Sequence, residues 1–254
     1  MRIDLLQQLA KLGNTFTVNE VKKELKIPQE VLWVLLSRLE QQGRIERIEK
    51  GKYMVIPLGS KKGRYTLNEF TLGNLVIDPC IIAYWSALHH HGLTEQIPLT
   101  VFIQTTSRKK KRDLKIFGIP YKIIRVKPEK IFGTEKLWLD ETEVLITNKE
   151  KTIVDCLDKP KYAGGIIEVT KALKEKSIDL EKIKDYAIKL NNSAVTRRLG
   201  YLCDTLEIPI KLDYDKIKKY LKKVRNYIPL DPTMPHEGPK NTKWQVIVNW
   251  DEYD

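Results

Sequence analysis

Three groups of side chains in this 254-residue chain have the types and spacing to do chemistry. Between positions 29 and 52, Gln29 and Ser37 carry groups that can hydrogen-bond base edges. Arg38, Arg44, Arg47, Lys50 and Lys52 carry charge that can neutralise phosphates, and Thr17 and Trp33 complete this DNA-contacting set. The second group is five adjacent cations, Arg108, Lys109, Lys110, Lys111 and Arg112. They read as an anion clamp for a nucleic-acid backbone or an acidic protein surface, or as a solvated loop. The third is His89, His90 and His91 together with Asp113-Leu114-Lys115. Consecutive helical histidines point about 100° apart and cannot converge on one ion, and no nearby carboxylate or cysteine completes a ligand set. A nuclease-like carboxylate-x-lysine tail needs a second acidic residue on a nearby strand, and Asp78-Pro79 reads instead as a helix start. The sequence carries neither a phosphate-cradling glycine loop nor a recognisable nucleophile–base pair. Lys151 and Asp155, four residues apart, read as a structural i,i+4 pair. The expectation is a protein that is not an enzyme, with no catalytic residues, metal or cofactor.

The first group depends on the elements that position it. Leu5, Leu6, Leu9 and Leu12 make one apolar stripe at helical period. Thr17 followed by Glu20 is a capping box, since each side chain can satisfy the other's free backbone N–H. Val18, Val21 and Leu25 continue the inner face of a second helix. Pro28 suits the first position of a third helix, because its missing N–H would be unpaired there. Leu32, Leu35, Leu36 and Leu39 face inward on that helix, and Gly43 fits its left-handed stop. Arg44–Ile48 and Lys52–Ile56 read as a hairpin around Glu49-Lys50-Gly51. Three helices and a wing over residues 1–58 make a winged helix-turn-helix, whose third helix enters the DNA major groove while the wing touches the backbone.

Placing the leucines of helix 3 inward leaves Glu30, Trp33, Val34, Ser37 and Gln41 outermost. Two of these disagree with a simple polar reader. Glu30 repels phosphate unless it accepts from a cytosine amine, and Trp33-Val34 is an apolar pair. The competing reading is a face that docks on another domain or a protein partner.

A net charge of +12 favours an anionic partner, but its distribution matters more than its sum. Lys and Arg minus Asp and Glu gives +3 (10 minus 7) for residues 1–58 and +8 (13 minus 5) for 59–130. It gives −1 (8 minus 9) for 131–177 and +2 (14 minus 12) for 178–254. The strongest basic segment therefore lies outside the winged helix. No apolar run approaches the roughly 20 residues that cross a bilayer, and the start of the chain lacks a signal-peptide pattern. Cys80, Cys156 and Cys203 stand singly in apolar sequence, which argues for reduced, buried thiols in a cytoplasm.

After the wing, residues 59–72 read as a glycine- and lysine-containing linker. DPCIIAYWSALHHHGL reads as a helix from Asp78 to Gly92, LTVFIQTT as a strand, KIFGI with PYKIIRV and LWLDETEVLIT as further strands. From Asn148, a cap, the chain becomes helical: NKEKTIVDCLDKP, GGIIEVTKALKEK, LEKIKDYAIKLN, SAVTRRLGYLCDTL with Ser193 as cap, and DYDKIKKYLKKV. KWQVIVN is a terminal strand that could rejoin the sheet. The expected fold class is α+β: a winged helix-turn-helix, then a larger mixed α/β domain over 73–254. Within it a mixed sheet takes 73–147, a helical bundle 148–225, and a terminal loop and strand 226–254.

Several stretches together resemble the AbiEi family, the antitoxin half of a type IV toxin–antitoxin pair. They are LLSRLEQQGRIERIEKGKYMV, WSALHHHGLTEQIP, EKTIVDCL, AGGIIEV, TRRLGYL and PLDPTMPHEGPKNTKWQVIVN, in that order over nearly the whole chain. The resemblance implies a repressor that binds inverted repeats in its own promoter, and a C-terminal domain that counteracts a cognate nucleotidyltransferase-like toxin, with or without touching it. Self-association, before or upon DNA binding, would match the repeat. Arg108–Arg112 is the first place to look for the antitoxicity determinant, although the run matches no established family motif. The alternative is a DNA-binding regulator without a toxin, its C-terminal domain sensing a ligand or mediating assembly.

Overall fold

The computed structural model describes residues 2–13, 15–56, 68–108, 112–139, 142–210, 212 and 226–250. The first unit is α1 (Arg2–Lys11), β1 (Thr15–Thr17), α2 (Val18–Leu25), α3 (Gln29–Gln41), β2 (Ile45–Glu49) and β3 (Lys52–Val55). Leu9, Phe16, Val18, Val21, Leu32, Leu36, Leu39, Ile45 and Tyr53 form its core, with Leu5, Leu6, Leu12 and Leu25 packed against them. Leu35, expected inside, is only half-buried. The strands form one antiparallel sheet in the order β1-β3-β2. Strand β1 has no counterpart in the sequence reading, which placed Thr17 at a helix cap and among the DNA contacts but not in a strand. Thr17 pairs with Lys52 and caps α2. A register shift between Arg47 and Glu49 turns Ile48 away from the winged-helix core. Ile48 and Met54 are instead buried in the core of the second domain.

Pro28 lies one position earlier than expected, at the N-cap of α3, where its carbonyl accepts from Leu32 N–H at 3.0 Å. The far end follows the expected stop. Gly43 has φ +66°, Gly43 N–H donates to Glu40 O at 3.0 Å and Arg44 N–H to Leu39 O at 2.9 Å. That pair of bonds is a Schellman motif, and it fixes where the wing departs.

The second domain is a sheet covered by helices. Its six strands run β6-β7-β5-β4-β9-β8, formed by Asp113–Ile116, Ile119–Arg125, Val101–Thr105, Ile81–Ile82, Thr142–Thr147 and Thr134–Leu139. Pairs β4/β9 and β5/β7 are parallel and the others antiparallel, so the sheet is mixed. The stretch from Asp78 to Gly92 is not one helix. Ile81-Ile82 is a central strand, and α5 spans only Tyr84–His90. Cys80 to Tyr84 are all buried, so apolar periodicity could not separate a strand from a helix there; the β-branched pair decides it. Helix α4 (Glu69–Asn74), capped by Asn68, occupies the end of the stretch read as a linker, with Phe70 and Leu72 in the core.

Helix α6 (Lys149–Asp158), capped by Asn148, is buried along nearly its whole length and packs against α5, α7 (Ile166–Leu173), α8 (Leu180–Leu190) and α9 (Ser193–Thr205). The cap of α9 is Asn192, not Ser193, and accepts from Ala194 N–H at 3.1 Å. The helix expected over 213–224 lies outside the described residues. The terminal strand does not rejoin the large sheet. β12 (Val246–Ile247) pairs with β10 (Ile228–Pro229) and β11 (Lys240–Asn241) in a separate sheet packed on α9.

Candidate nucleic-acid interface

The cap of α2, helix α3 and the wing position the residues of the first group. The capping box is closed, with Thr17 N–H donating to Glu20 Oε2 at 2.6 Å and Glu20 N–H to Thr17 Oγ1 at 3.2 Å. Those hydrogen bonds hold the Glu20 carboxyl below its ordinary range. The Thr17 hydroxyl is thus engaged with Glu20, its oxygen accepting from the Glu20 backbone N–H and its side chain also hydrogen-bonding the Glu20 carboxylate. Gln29 opens α3, and its Oε1 accepts from Lys22 Nζ at 3.3 Å. Glu30, Trp33, Val34, Ser37, Arg38 and Gln41 are exposed, as the helical rotation requires. Val31 joins them, so that Val31, Trp33 and Val34 are 49%, 38% and 50% exposed.

On the wing, Arg44, Arg47 and Lys50 are exposed and Lys52 is half-buried. Gly51, at φ +79°, makes the tight turn that brings Lys50 to the tip. Arg47 Nε donates to Glu49 O at 3.4 Å, a long contact that leaves the rest of its guanidinium available. The arrangement places one uncovered helix face beside a cationic hairpin, the geometry by which a winged helix meets duplex DNA.

The other candidates fall elsewhere. Arg108 lies just after β5 and Arg112 immediately precedes β6, while Lys109, Lys110 and Lys111 lie outside the described residues. Asp113 on β6 pairs with Lys122 Nζ at 2.6 Å across the antiparallel register. The histidines diverge. His91 Nε2 lies 2.7 Å from Thr147 O, and the His90 ring packs edge-on to Phe70 at 6.1 Å, where burial lowers its pKa. All three cysteines are free and buried, and burial pushes Cys80 and Cys203 up to about 12. No helix among the described residues is long and apolar enough to cross a membrane.

The sequence reading missed a cluster that joins three of the quoted stretches. Asp231 Oδ2 accepts from Ile166 N–H at 2.6 Å, capping α7 from the terminal loop, and a Cβ on Gly165 would lie 2.7 Å from that oxygen. Arg198 donates to the carbonyls of Leu157 (2.9 Å) and Leu230 (3.1 Å), and Arg197 to those of Trp244 (3.0 Å), Asn226 (2.5 Å) and Gln245. A Cβ on Gly200 would run into the Trp244 ring. AGGIIEV, TRRLGYL and the terminal segment therefore form one packed unit. The available signal was Arg197-Arg198 inside the apolar helix carrying Val195, Leu199 and Leu202, since buried arginines need carbonyl partners.

The fold and its exposed helix face define a winged-helix protein with a larger α/β domain. Residues 4–56 match the family described as "Transcriptional regulator, AbiEi antitoxin", so the N-terminal domain is an AbiEi-type winged helix. That match ends at the wing, whereas the resemblance read in the sequence continues to Asn249. The fold is similar over almost the full length to the crystal structure of RV2827C protein from Mycobacterium tuberculosis. The TM-score is 0.62 at 15% identity, covering 95% of this chain and 89% of that one. No curated protein sequence matches the chain.

Proposed function

We propose that this protein is an antitoxin and transcriptional autorepressor that binds inverted repeats in its own promoter and counteracts a cognate nucleotidyltransferase-like toxin. The observation that carries this reading is the uncovered face of α3 beside the cationic wing, within a domain matched to AbiEi regulators. Helix α3 lies in the major groove, where Gln29, Ser37 and the neighbouring face meet base edges. Arg38, Arg44, Arg47, Lys50 and Lys52 hold the flanking phosphates, with Thr17 at the mouth of α2. Two copies occupy the repeat, their spacing fixed by the half-sites. The C-terminal domain, with Arg108–Arg112 as its candidate determinant, carries the neutralising role.

The test is a salt titration on a duplex spanning the region upstream of its own gene, with a scrambled duplex beside it. The intact chain should prefer the upstream sequence. Arg47→Ala with Lys50→Ala should weaken binding to both duplexes and flatten the log–log salt slope by about 1.8, two phosphate contacts at about 0.9 each. Unchanged affinity and slope in that variant would remove the wing from the interface. For the second activity, co-expression with a neighbouring nucleotidyltransferase-like gene should restore growth that the gene alone arrests. No rescue would leave a regulator without that toxin.

A further inference from the structure

The outer face of α3 carries three exposed apolar side chains, Val31, Trp33 and Val34, among its polar ones. At about 100° per residue, Val31, Val34 and Arg38 line up as one ridge at i, i+3 and i+7. Glu30, Ser37 and Gln41 form the ridge beside it, and Trp33 stands at the far flank. Val31 and Val34 are about half exposed, and both sit in the first two turns, the part of a recognition helix that approaches base edges. A valine side chain has no donor or acceptor, so it cannot distinguish bases by hydrogen bonding. The major groove offers one apolar group, the C5-methyl of thymine.

Resting on the DNA-binding reading above, we infer that Val31 and Val34 read thymine methyl groups, so that α3 selects a half-site with thymines under its N-terminal turns. Charge complementarity favours DNA as the occupant of this apolar ridge over a protein groove. Arg38 continues the ridge itself, and the exposed Arg44, Arg47 and Lys50 of the wing lie beyond the C-terminal end of α3. Exposed Lys22 on α2, whose Nζ lies 3.3 Å from Gln29 Oε1, stands at the N-terminal end of α3. A duplex places its methyls between two phosphate rows, which matches apolar residues between two cationic flanks. Glu30 fits the same groove as an acceptor for a cytosine amine, and Ser37 is free to serve either base type.

The probe is the intact chain on a duplex of its own upstream region, made with thymine and then with deoxyuridine, which keeps every Watson–Crick and groove hydrogen bond and lacks only the methyl. Uracil should weaken binding about fourfold for each methyl buried, from the transfer free energy of one such group. Val34→Ser, on an exposed helical position, should fold as the parent does and shrink that uracil penalty, because the partner of the methyl is gone. Equal affinity for the thymine and uracil duplexes, with the preference over a scrambled sequence retained, would overturn methyl reading and leave the repressor intact. Absence of any sequence preference would overturn both, and would turn the ridge into a protein-docking face.

Discussion

Replacing Lys151 by Met should cost the folded protein about 3–5 kcal/mol, and adding Asp155→Leu should recover most of that loss. Lys151 Nζ donates to Asp155 Oδ1 one helical turn away, and the two side chains are 0% and 3% exposed. The ammonium also lies 4.7 Å from the centre of the Phe132 ring. The second carboxylate oxygen, Asp155 Oδ2, is buried with no hydrogen-bond partner. Burial pushes the Asp155 carboxyl up, and Lys151 is the main group pulling it back. Removing the lysine leaves a buried carboxylate with only the Gln104 side chain to stabilise its charge; removing both leaves no buried charge at this position. The effect should depend on pH with a definite sign. An acid whose folded pKa is raised is neutral in both states below the unfolded value of about 3.9, so no cost appears there. The cost grows as pH rises through the folded value and is complete above it. Urea unfolding should therefore separate Lys151→Met from the parent more at pH 7 than at pH 4. Equal stability at pH 7 would show that the pair contributes nothing.

This pair illustrates what the sequence made legible. Spacing alone marked Lys151 and Asp155 as partners, and the helix cap at Asn148 followed from residue type, because both are local interactions. The winged helix was readable for the same reason. Its capping box, leucine stripe and Gly43 stop are signals spanning a few residues, and each agrees with the others. What escaped was determined by distant partners. Nothing near Thr15–Thr17 says that Met54 and Lys52 complete a sheet with it. Ile81-Ile82 is surrounded by buried residues on both sides, so no period marks it as a strand. Within the candidate interface, rotation of the helix identified most of the exposed face, since the outward side of an amphipathic helix is fixed by its inward side. Val31 was overlooked there because it borders the buried stripe beside Leu32. The role of Arg197 and Arg198 was hidden most completely, because their acceptors lie 29 to 48 residues away from them along the chain.

Those acceptors set the second large effect. Arg197→Met should destabilise the C-terminal sheet by about 3 kcal/mol or more, since each charge-assisted bond contributes about 1.5–3 kcal/mol and three carbonyls lose their donor together. Lysine should not rescue it, because one ammonium cannot reproduce the planar fork that reaches Trp244, Asn226 and Gln245 at once. Amide hydrogen exchange locates the damage. Ile228, Leu230 and Val248 N–H donate to Gln245, Ile247 and Pro239 carbonyls in the terminal segment, and all three should exchange faster. Leu32 and Ile56, whose N–H groups bond to Pro28 and Arg44 inside the winged helix, should not. That contrast matters for function, because the winged helix keeps a core of its own, and among the described residues Ile48 and Met54 of its wing lie in the core of the second domain. Arg197→Met should therefore retain the salt slope on upstream DNA while its terminal sheet loosens. Parallel loss of both would mean that the two cores fold as one cooperative unit, with Ile48 and Met54 as the coupling contact.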